Sequence, residues 1–152
     1  MIKVQNPDYK QRIEKYLERQ EFMKLIGFQL EVIEAGVTEG SLEIRDVHKQ
    51  QKGLLHGGVV TTIADIVAGF SAYTLVPEDY NVVTGEIKIS FLNPGLTNKV
   101  WAKGWVIKSG RKLNFCEAEV WEEFKGSKRI LAKASTTMIT LLPGDTGSVN
   151  IS

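Results

Sequence analysis

The chain has 152 residues, 43% of them hydrophobic and 24% charged, which are ordinary proportions for one globular domain and exclude a disordered or fibrous chain. Nineteen Lys and Arg nearly balance eighteen Asp and Glu, so the overall charge favours neither a nucleic acid nor a membrane as a partner. A single cysteine, Cys116, excludes an intramolecular disulfide, and the polar N-terminus lacks an apolar secretion signal, so we expect a cytoplasmic protein. One Cys and two His without the spacing of metal ligands make us expect no metal site.

The first 24 residues are expected to form an amphipathic lead-in helix. Pro7 suits the start of a helix, Gly27 suits its end, and apolar residues recur between them at helical spacing: Ile13, Tyr16, Leu17 and Met23. We therefore divide the chain into this lead-in (1–24), a main domain (25–142) and a polar tail (143–152) that we expect to be flexible.

Two short strands and then a helix are predicted next. The segments FQLEVIEAG and VTEGSLEIRDV alternate apolar and polar residues, which is typical of strands bounded by turns. From Gly57 to about Leu75 the residues are apolar on every side, apart from the carboxylate of Asp65, which predicts a helix buried all round. Its apolar run is too interrupted to span a membrane.

Four strand-like runs follow the helix: NVVTGEIKISFLN, KVWAKGWVIKS, KLNFCEAEVWEEF and SKRILAKASTTMITLL. Their separators, PGLT, GR and KG, are turn-forming, so we expect consecutive strands to pair as an antiparallel meander. A helix too apolar to face water, followed by a sheet with mixed faces, predicts an α+β domain in which the sheet wraps around the helix.

The segment QQKGLLHGGVVTTIAD, together with this order of elements, resembles the hotdog-fold acyl-CoA thioesterases, specifically the branch related to the phenylacetate-degradation thioesterase. The resemblance covers roughly residues 25 to 141. The motif of this family is Asn, then Gly, then His-Gly-Gly, then an Asp on the helix. Five residues match it in register: Gly53, His56, Gly57, Gly58 and Asp65. The first position departs from the motif, because Gln50 stands where Asn is usual.

The resemblance implies a hotdog fold and hydrolysis of an acyl-CoA or aryl-acyl-CoA to the free acid and coenzyme A. Coenzyme A is then part of the substrate, and no separate cofactor is expected. The resemblance also implies a homodimer whose two sheets join edge to edge, commonly paired again into a homotetramer, with the active sites between subunits.

Asp65 has the catalytic role in this reading. Its apolar neighbours in the sequence suggest a desolvated carboxylate, whose charged form is disfavoured and which is therefore a better base. The resemblance makes it the group that either activates a water or attacks the thioester carbonyl itself, and both remain open. The structural alternative is that it only bonds to a neighbour such as Thr61, Thr62 or a partner-chain group.

Gly57 and Gly58 are predicted to begin the helix, where free N–H groups and the helix dipole suit a developing oxyanion. The resemblance assigns that donor to Gly57, and the alternative is a tight turn that needs positive φ. His56 is interpreted as an orienting donor, and in the family it helps fix the residue that corresponds to Gln50, which contacts the thioester or the attacking water.

Thr84 matches the position where relatives carry a Ser or Thr near the carboxylate, so its hydroxyl is a candidate to hold water or substrate. The alternative is a Thr chosen only for its strand propensity. Glu86, two residues later, is expected on the same strand face and is a conceivable second carboxylate.

For coenzyme A, the resemblance points to two segments, FLNPG and KSGRKL. Lys108 and Arg111 flank the turn containing Gly110, and two cations beside backbone amides suit phosphates, although solvated turn residues are an equal alternative. Three further contacts rest on family position alone: Phe91, Asn93 and Pro94.

Five other residues receive structural interpretations. Three tryptophans are expected in the core or at a subunit contact, with an acyl tunnel as the alternative: Trp101, Trp105 and Trp121. Cys116 is expected to be a small core residue, and His48 a surface residue.

Two other functions are weighed against the thioesterase. Hotdog hydratases generally carry His downstream of Asp, whereas His56 here precedes Asp65, which counts against them. A non-catalytic acyl-CoA sensor remains the alternative from another class, although its usual DNA-binding domain would not fit in a lead-in of about twenty residues.

Overall fold

The computed structural model describes residues 3–145, and the predicted tail beyond residue 145 lies outside them. The elements in chain order are α1 (Tyr9–Leu17), α2 (Glu21–Ile26), β1 (Gln29–Glu34), β2 (Val37–Glu43), a 3₁₀ turn (Asp46–His48), α3 (Gly57–Tyr73), β3 (Asn81–Phe91), β4 (Lys99–Ser109), β5 (Leu113–Phe124) and β6 (Ser127–Leu141).

The lead-in forms two short helices, where the sequence predicted one. The break lets the two helices bury residues in different places: Ile13 of α1 packs with Tyr73 and Val76, whereas Met23 of α2 belongs to the main core. Gly27 ends α2 with a left-handed φ of 84°, as predicted from its place in the sequence.

The six strands form one antiparallel sheet in the order β1-β2-β4-β5-β6-β3. Strands β4, β5 and β6 form the predicted meander, but β3 pairs with β6 at the edge, so the predicted β3–β4 hairpin is wrong. The link of residues 92–98 instead crosses from the edge to the middle of the sheet. The N–H of Leu92 in this link donates to the carbonyl of Leu131, at 2.7 Å, in the strand beside β3.

Helix α3 packs across one face of this sheet, which is the α+β hotdog arrangement that the resemblance implied. Its sheet-facing side is fully buried and includes Ile63, Val67 and Ala68. Gly104 of β4 permits the contact, because a Cβ there would lie only 2.5 Å from the Val67 carbonyl group. The backbone of the helix therefore rests directly on the sheet.

The opposite side of α3 is half-buried, so the prediction of a helix buried all round is wrong for one chain. This side carries Asp65, Ile66, Gly69 and Phe70, whose spacing matches one stripe of a helix. The sheet covers α3 from one direction, and the stripe faces a cavity.

Among residues 3–145, no helix combines the length and the apolar composition needed to cross a lipid bilayer.

Candidate active site

Asp65 is held by a hydroxyl from the edge strand. The Thr84 hydroxyl donates a hydrogen bond of 2.7 Å to Asp65 Oδ1. Two of the alternative neighbours, Thr61 and Thr62, do not bond it, because they donate to backbone carbonyls one turn earlier in α3. The structure thus brings together two residues that the sequence singled out.

Within one chain Asp65 is half-buried rather than enclosed, so a single chain does not by itself desolvate the carboxylate as predicted. Its sequence neighbours Ala64 and Val67 point to the sheet, because the helical period places them on a different side of α3. Ile66 and Gly69 share its side and, with it, line a cavity of about 430 Å³. The carboxylate is therefore accessible from this cavity.

A β-bulge in β3 sets the direction of the Thr84 side chain. Thr84 pairs with buried Met138 of β6, but the next pair begins at Glu86, which leaves Gly85 as an extra residue. Paired residues share a face of the sheet, so Thr84 lies on the helix side, where it meets Asp65. The extra residue moves Glu86 to the opposite face, so its predicted position beside Thr84 is wrong.

Helix α3 begins at Gly57, as predicted, with His56 as its N-cap. The Nδ1 atom of His56 accepts the Gly58 N–H at 2.9 Å, so the predicted orienting donor is an acceptor at this atom. Within residues 3–145, the Gly57 N–H donates to no protein group. Neither glycine has positive φ, which removes the alternative based on a tight turn.

Gln50 and Gly57 line a second cavity, of about 310 Å³. The Gln50 backbone is fixed by a turn, in which its N–H donates to Leu54 at 2.9 Å and its carbonyl accepts from Gly53 at 2.8 Å. The facing wall belongs to the end of β3 and the link after it, and includes three residues expected to contact coenzyme A: Phe91, Asn93 and Pro94.

Those three residues are not equally available to a ligand. The Phe91 ring is 55% exposed and lies where a Cβ on Gly57 would meet it at 3.4 Å. The Asn93 side chain donates a hydrogen bond of 2.8 Å to the Ile130 carbonyl, so its amide already fixes the link to β6.

Lys108, Gly110 and Arg111 lie at the β4–β5 turn and, with Lys3, border a third cavity, of about 700 Å³. All three turn residues are exposed, and neither Lys108 nor Arg111 forms an ion pair within the described residues. The Gly110 N–H already donates to the Leu113 carbonyl at 2.9 Å, so it is not the open amide that was expected beside the cations.

One chain therefore holds the predicted site in three separate places. Asp65 and Thr84 line the first cavity, Gln50 and Gly57 the second, and the cations the third. Because Gly57 and Asp65 are eight residues apart on one helix, they are separated by about 12 Å along its axis. Their side-by-side placement at one carbonyl group requires something beyond a single chain.

His48 was expected at the surface, and this expectation is wrong: the side chain is 2% exposed. Its Nδ1 accepts the Arg45 N–H at 2.9 Å, and its Nε2 donates to the Ile26 carbonyl at 2.7 Å. Its own carbonyl accepts the N–H of His56 at 2.9 Å. His48 thus connects the end of α2 to the N-cap of α3, and the polar residues around it in the sequence concealed this role.

Glu122 is a second residue that the sequence reasoning missed. It is fully buried in β5, and its Oε2 accepts three hydrogen bonds, each of 2.9 Å, from the N–H of Leu96 and from the N–H and hydroxyl of Thr97. Arg129 binds its Oε1 through Nε and Nη2. Burial alone would raise the pKa of Glu122, but Arg129 and these donors outweigh it and hold the pKa below its ordinary value. The available signal was its inward position in the alternation of β5.

The tryptophans lie away from the cavities. The inward residues of β4 are Val100, Ala102, Gly104 and Val106, so Trp101 and Trp105 lie on the outer face of the sheet, where Trp101 pairs with Trp121. Within one chain they border none of the three cavities described above and lie outside the core, which leaves the predicted subunit contact as a prediction. Cys116 is buried, as predicted.

Comparison with known proteins connects this geometry to a family. Residues 52–126 match the family described as the Thioesterase superfamily. A solved thioesterase family protein from Silicibacter pomeroyi is 30% identical, with a TM-score of 0.85 over 88% of this chain and 98% of that one. The chain belongs to the thioesterase superfamily. A provisionally named esterase of Saccharolobus solfataricus is 27% identical over 127 residues, which are 84% of this chain and 82% of the relative.

The thioesterase superfamily catalyses the hydrolysis of thioesters and esters, and this places the chain among hydrolases. The phenylacetate-degradation branch is matched in fold. The PaaI protein of Escherichia coli has a TM-score of 0.80 over 90% of this chain and 95% of that one, at 15% identity.

Proposed function

We propose that this thioesterase superfamily member hydrolyses acyl-CoA or aryl-acyl-CoA thioesters, as an enzyme of the phenylacetate-degradation type. The observation that carries the proposal is that one helix presents both an accessible carboxylate, at Asp65, and an N–H, at Gly57, that has no acceptor among residues 3–145. A thioester needs an oxyanion donor and a carboxylate for hydrolysis, and α3 presents one of each.

The Gly57 N–H is the oxyanion donor in this proposal. It lies at the positive end of the dipole of a 17-residue helix, while the neighbouring Gly58 N–H is occupied by His56. As negative charge develops on the carbonyl oxygen, this N–H gains a stronger hydrogen bond, which lowers the barrier. The Gln50 amide, bordering the same cavity, offers both donors and an acceptor to the thioester or to the water.

Asp65 is the general base or the nucleophile. The Thr84 hydroxyl occupies Oδ1 and leaves Oδ2 for a water or a carbonyl carbon. As a base, Asp65 takes a proton from water while the water oxygen bonds to the carbonyl carbon, and the C–S bond then breaks to release the thiolate. As a nucleophile, it displaces the thiolate to give an anhydride that water hydrolyses.

The active site is shared by two copies of the chain in this proposal. Strand β3 lies at the edge of the sheet, so one of its two hydrogen-bonding sides is unpaired. Thr84 lies near the start of this strand and Phe91 at its end. Antiparallel pairing of two β3 strands about a two-fold axis near their middle would place the Thr84 end of each beside the Phe91 end of its partner. Asp65 of one chain would then approach the cavity that holds Gly57 of the partner subunit.

The same symmetry suits coenzyme A. The cavity of Lys3, Lys108 and Arg111 lies near the start of β3, since it is also bordered by Tyr80. In the proposed dimer the start of β3 lies beside the partner's Gly57 cavity, so cations from one chain are available to phosphates of a substrate bound at the other. A homotetramer would arise from two such dimers.

The deciding experiment compares free-thiol release by the wild type and Asp65→Asn on a panel of acyl-CoA and aryl-acyl-CoA esters, with oxygen esters alongside. We expect Asp65→Asn to remain folded and oligomeric and to lose at least about a hundredfold in kcat, since the base is removed while shape is kept. Full activity in the variant would contradict the assignment. An inactive wild type that binds acyl-CoA esters tightly would identify a sensor instead.

A further inference from the structure

The lead-in helices form part of the wall of the cavity that contains Asp65. On one side the cavity is bordered by the stripe of α3 and by the first residues of β3. On the other side it is bordered by Tyr16, Gln20, Phe22 and Met23. The lead-in therefore supplies one wall of the cavity, and α3 with β3 supplies the other.

The lead-in is fixed firmly to α3. The Arg12 guanidinium donates to the carbonyls of Tyr73 at 2.7 Å and Pro77 at 2.6 Å, and it stacks over the Tyr73 ring at 4.1 Å. The bond to Tyr73 satisfies a carbonyl in the last turn of α3, whereas the Pro77 carbonyl also accepts the Tyr80 N–H at 3.2 Å. The Tyr16 ring meets Tyr73 edge to face at 5.5 Å, and both residues border the cavity.

Nothing among residues 3–145 of one chain requires glycine at position 69. It lies inside α3 without positive φ, and a Cβ there would meet only Met138 Cε, at an unstrained 4.0 Å. Gly104 differs sharply, because a Cβ there would come within 2.5 Å of the Val67 backbone. Glycine is disfavoured inside a helix relative to alanine. What its missing Cβ provides is room in the cavity, one turn beyond Asp65.

We propose that the lead-in and Gly69 define an acyl pocket that accepts an apolar acyl group of medium length. The acyl group extends from Asp65 along α3, passes over Gly69, and ends at the rings of Tyr16 and Tyr73. A short acyl group leaves the pocket partly empty, and a long one collides with these rings. This inference rests on the proposed function, because it takes Asp65 as the point of hydrolysis.

The test measures kcat/KM by free-thiol release over a series of straight-chain acyl-CoA esters from short to long. Gly69→Ala should lower kcat/KM for the longest accepted esters about tenfold relative to short ones, because one methyl group takes up pocket space. Phe22→Ala should instead raise kcat/KM for long esters relative to short ones, also about tenfold, because it removes part of the lead-in wall. Leu25→Ala is the matched control, since Leu25 lies on the same helix, is 72% exposed and does not border the cavity.

A binding experiment separates the two proposals. The same esters are titrated calorimetrically into Asp65→Asn, alone and combined with Gly69→Ala or Phe22→Ala. If these substitutions change which chain lengths bind best, but the wild type hydrolyses none of the esters, the pocket is supported and the proposed function is overturned. Hydrolysis with one unchanged chain-length profile in every variant would overturn the pocket and leave the function intact.

Discussion

Glu122→Gln tests whether a buried carboxylate holds the link between β3 and β4 in place. Glu122 receives hydrogen bonds from Leu96 and Thr97 in this link and from Arg129 in β6. Glutamine has the same shape, but it carries no charge and has only one oxygen. In one orientation the NH₂ group of the glutamine faces the N–H donors of Leu96 and Thr97, and in the other it faces the Arg129 guanidinium. Either way two donors face each other and one set of hydrogen bonds is lost.

The expected loss is about 3 kcal/mol at pH 7. Removing one partner of a buried ion pair costs about 3–5 kcal/mol, because the other charge is left uncompensated. The Arg129 side chain is 22% exposed, so water recovers part of its solvation and the lower end of that range applies. Against a typical domain stability of about 5–15 kcal/mol, the effect is easily measured.

Urea unfolding of the wild type, Glu122→Gln and Glu123→Gln measures this loss. Glu123 is the neighbouring, exposed carboxylate of β5, so its variant should lie within about 0.5 kcal/mol of the wild type. Glu122→Gln should lower the urea midpoint by about 1–2 M at an unchanged slope. All samples are compared at one protein concentration, because oligomerisation contributes to stability.

The pH dependence provides a second check on Glu122. Its pKa is lowered in the folded protein, so its stabilisation is complete above the ordinary Glu value, about 4.3, and is lost as the pH falls through the lower folded value. The gap between wild type and Glu122→Gln should therefore shrink below about pH 4. The reasoning would be refuted if Glu122→Gln lost no more unfolding free energy at pH 7 than Glu123→Gln does. It would also be refuted if the difference between wild type and Glu122→Gln stayed constant in acid.

Three further outcomes are expected. Burial raises the pKa of the Cys116 thiol to about 12, so a disulfide reagent at pH 8 should label the native protein negligibly and label one thiol per chain in urea; fast native labelling would contradict this burial. Gly69→Ala should raise the free energy of unfolding by about 0.5–1 kcal/mol, measured by urea unfolding, and a loss would show an unrecognised clash. Replacing Lys108 and Arg111 by Gln should raise KM for acyl-CoA at low salt and flatten its salt dependence, whereas an unchanged salt dependence would mark both as merely solvated.

Two helix ends follow from local signals in the sequence, whereas the break between α1 and α2 was not predicted. The start of α3 at Gly57 and the end of α2 at Gly27 were predicted because capping and positive φ are properties of a few adjacent residues. The place of β3 was not predictable in this way. Its pairing with β6 depends on contacts between residues some fifty positions apart, as between Thr84 and Met138.

The site shows the same division between local and distant information. The motif identified His56, Gly57 and Asp65, and the structure brings Thr84 to Asp65 as expected. The half-buried state of Asp65 was missed, because apolar neighbours in sequence lie on other sides of a helix. The role of Glu122 was missed because its partners come from a link and another strand, and only its inward register marked it.

The open edge of β3 has a consequence for how the protein is made in the cell. An uncovered strand edge invites pairing with any other extended chain, which is the usual beginning of aggregation. In the proposed dimer, the contact that covers this edge also completes the active site. Newly synthesised chains would gain activity and protection from aggregation in one event, so the yield of active enzyme should fall steeply when the chain is expressed too sparsely to dimerise.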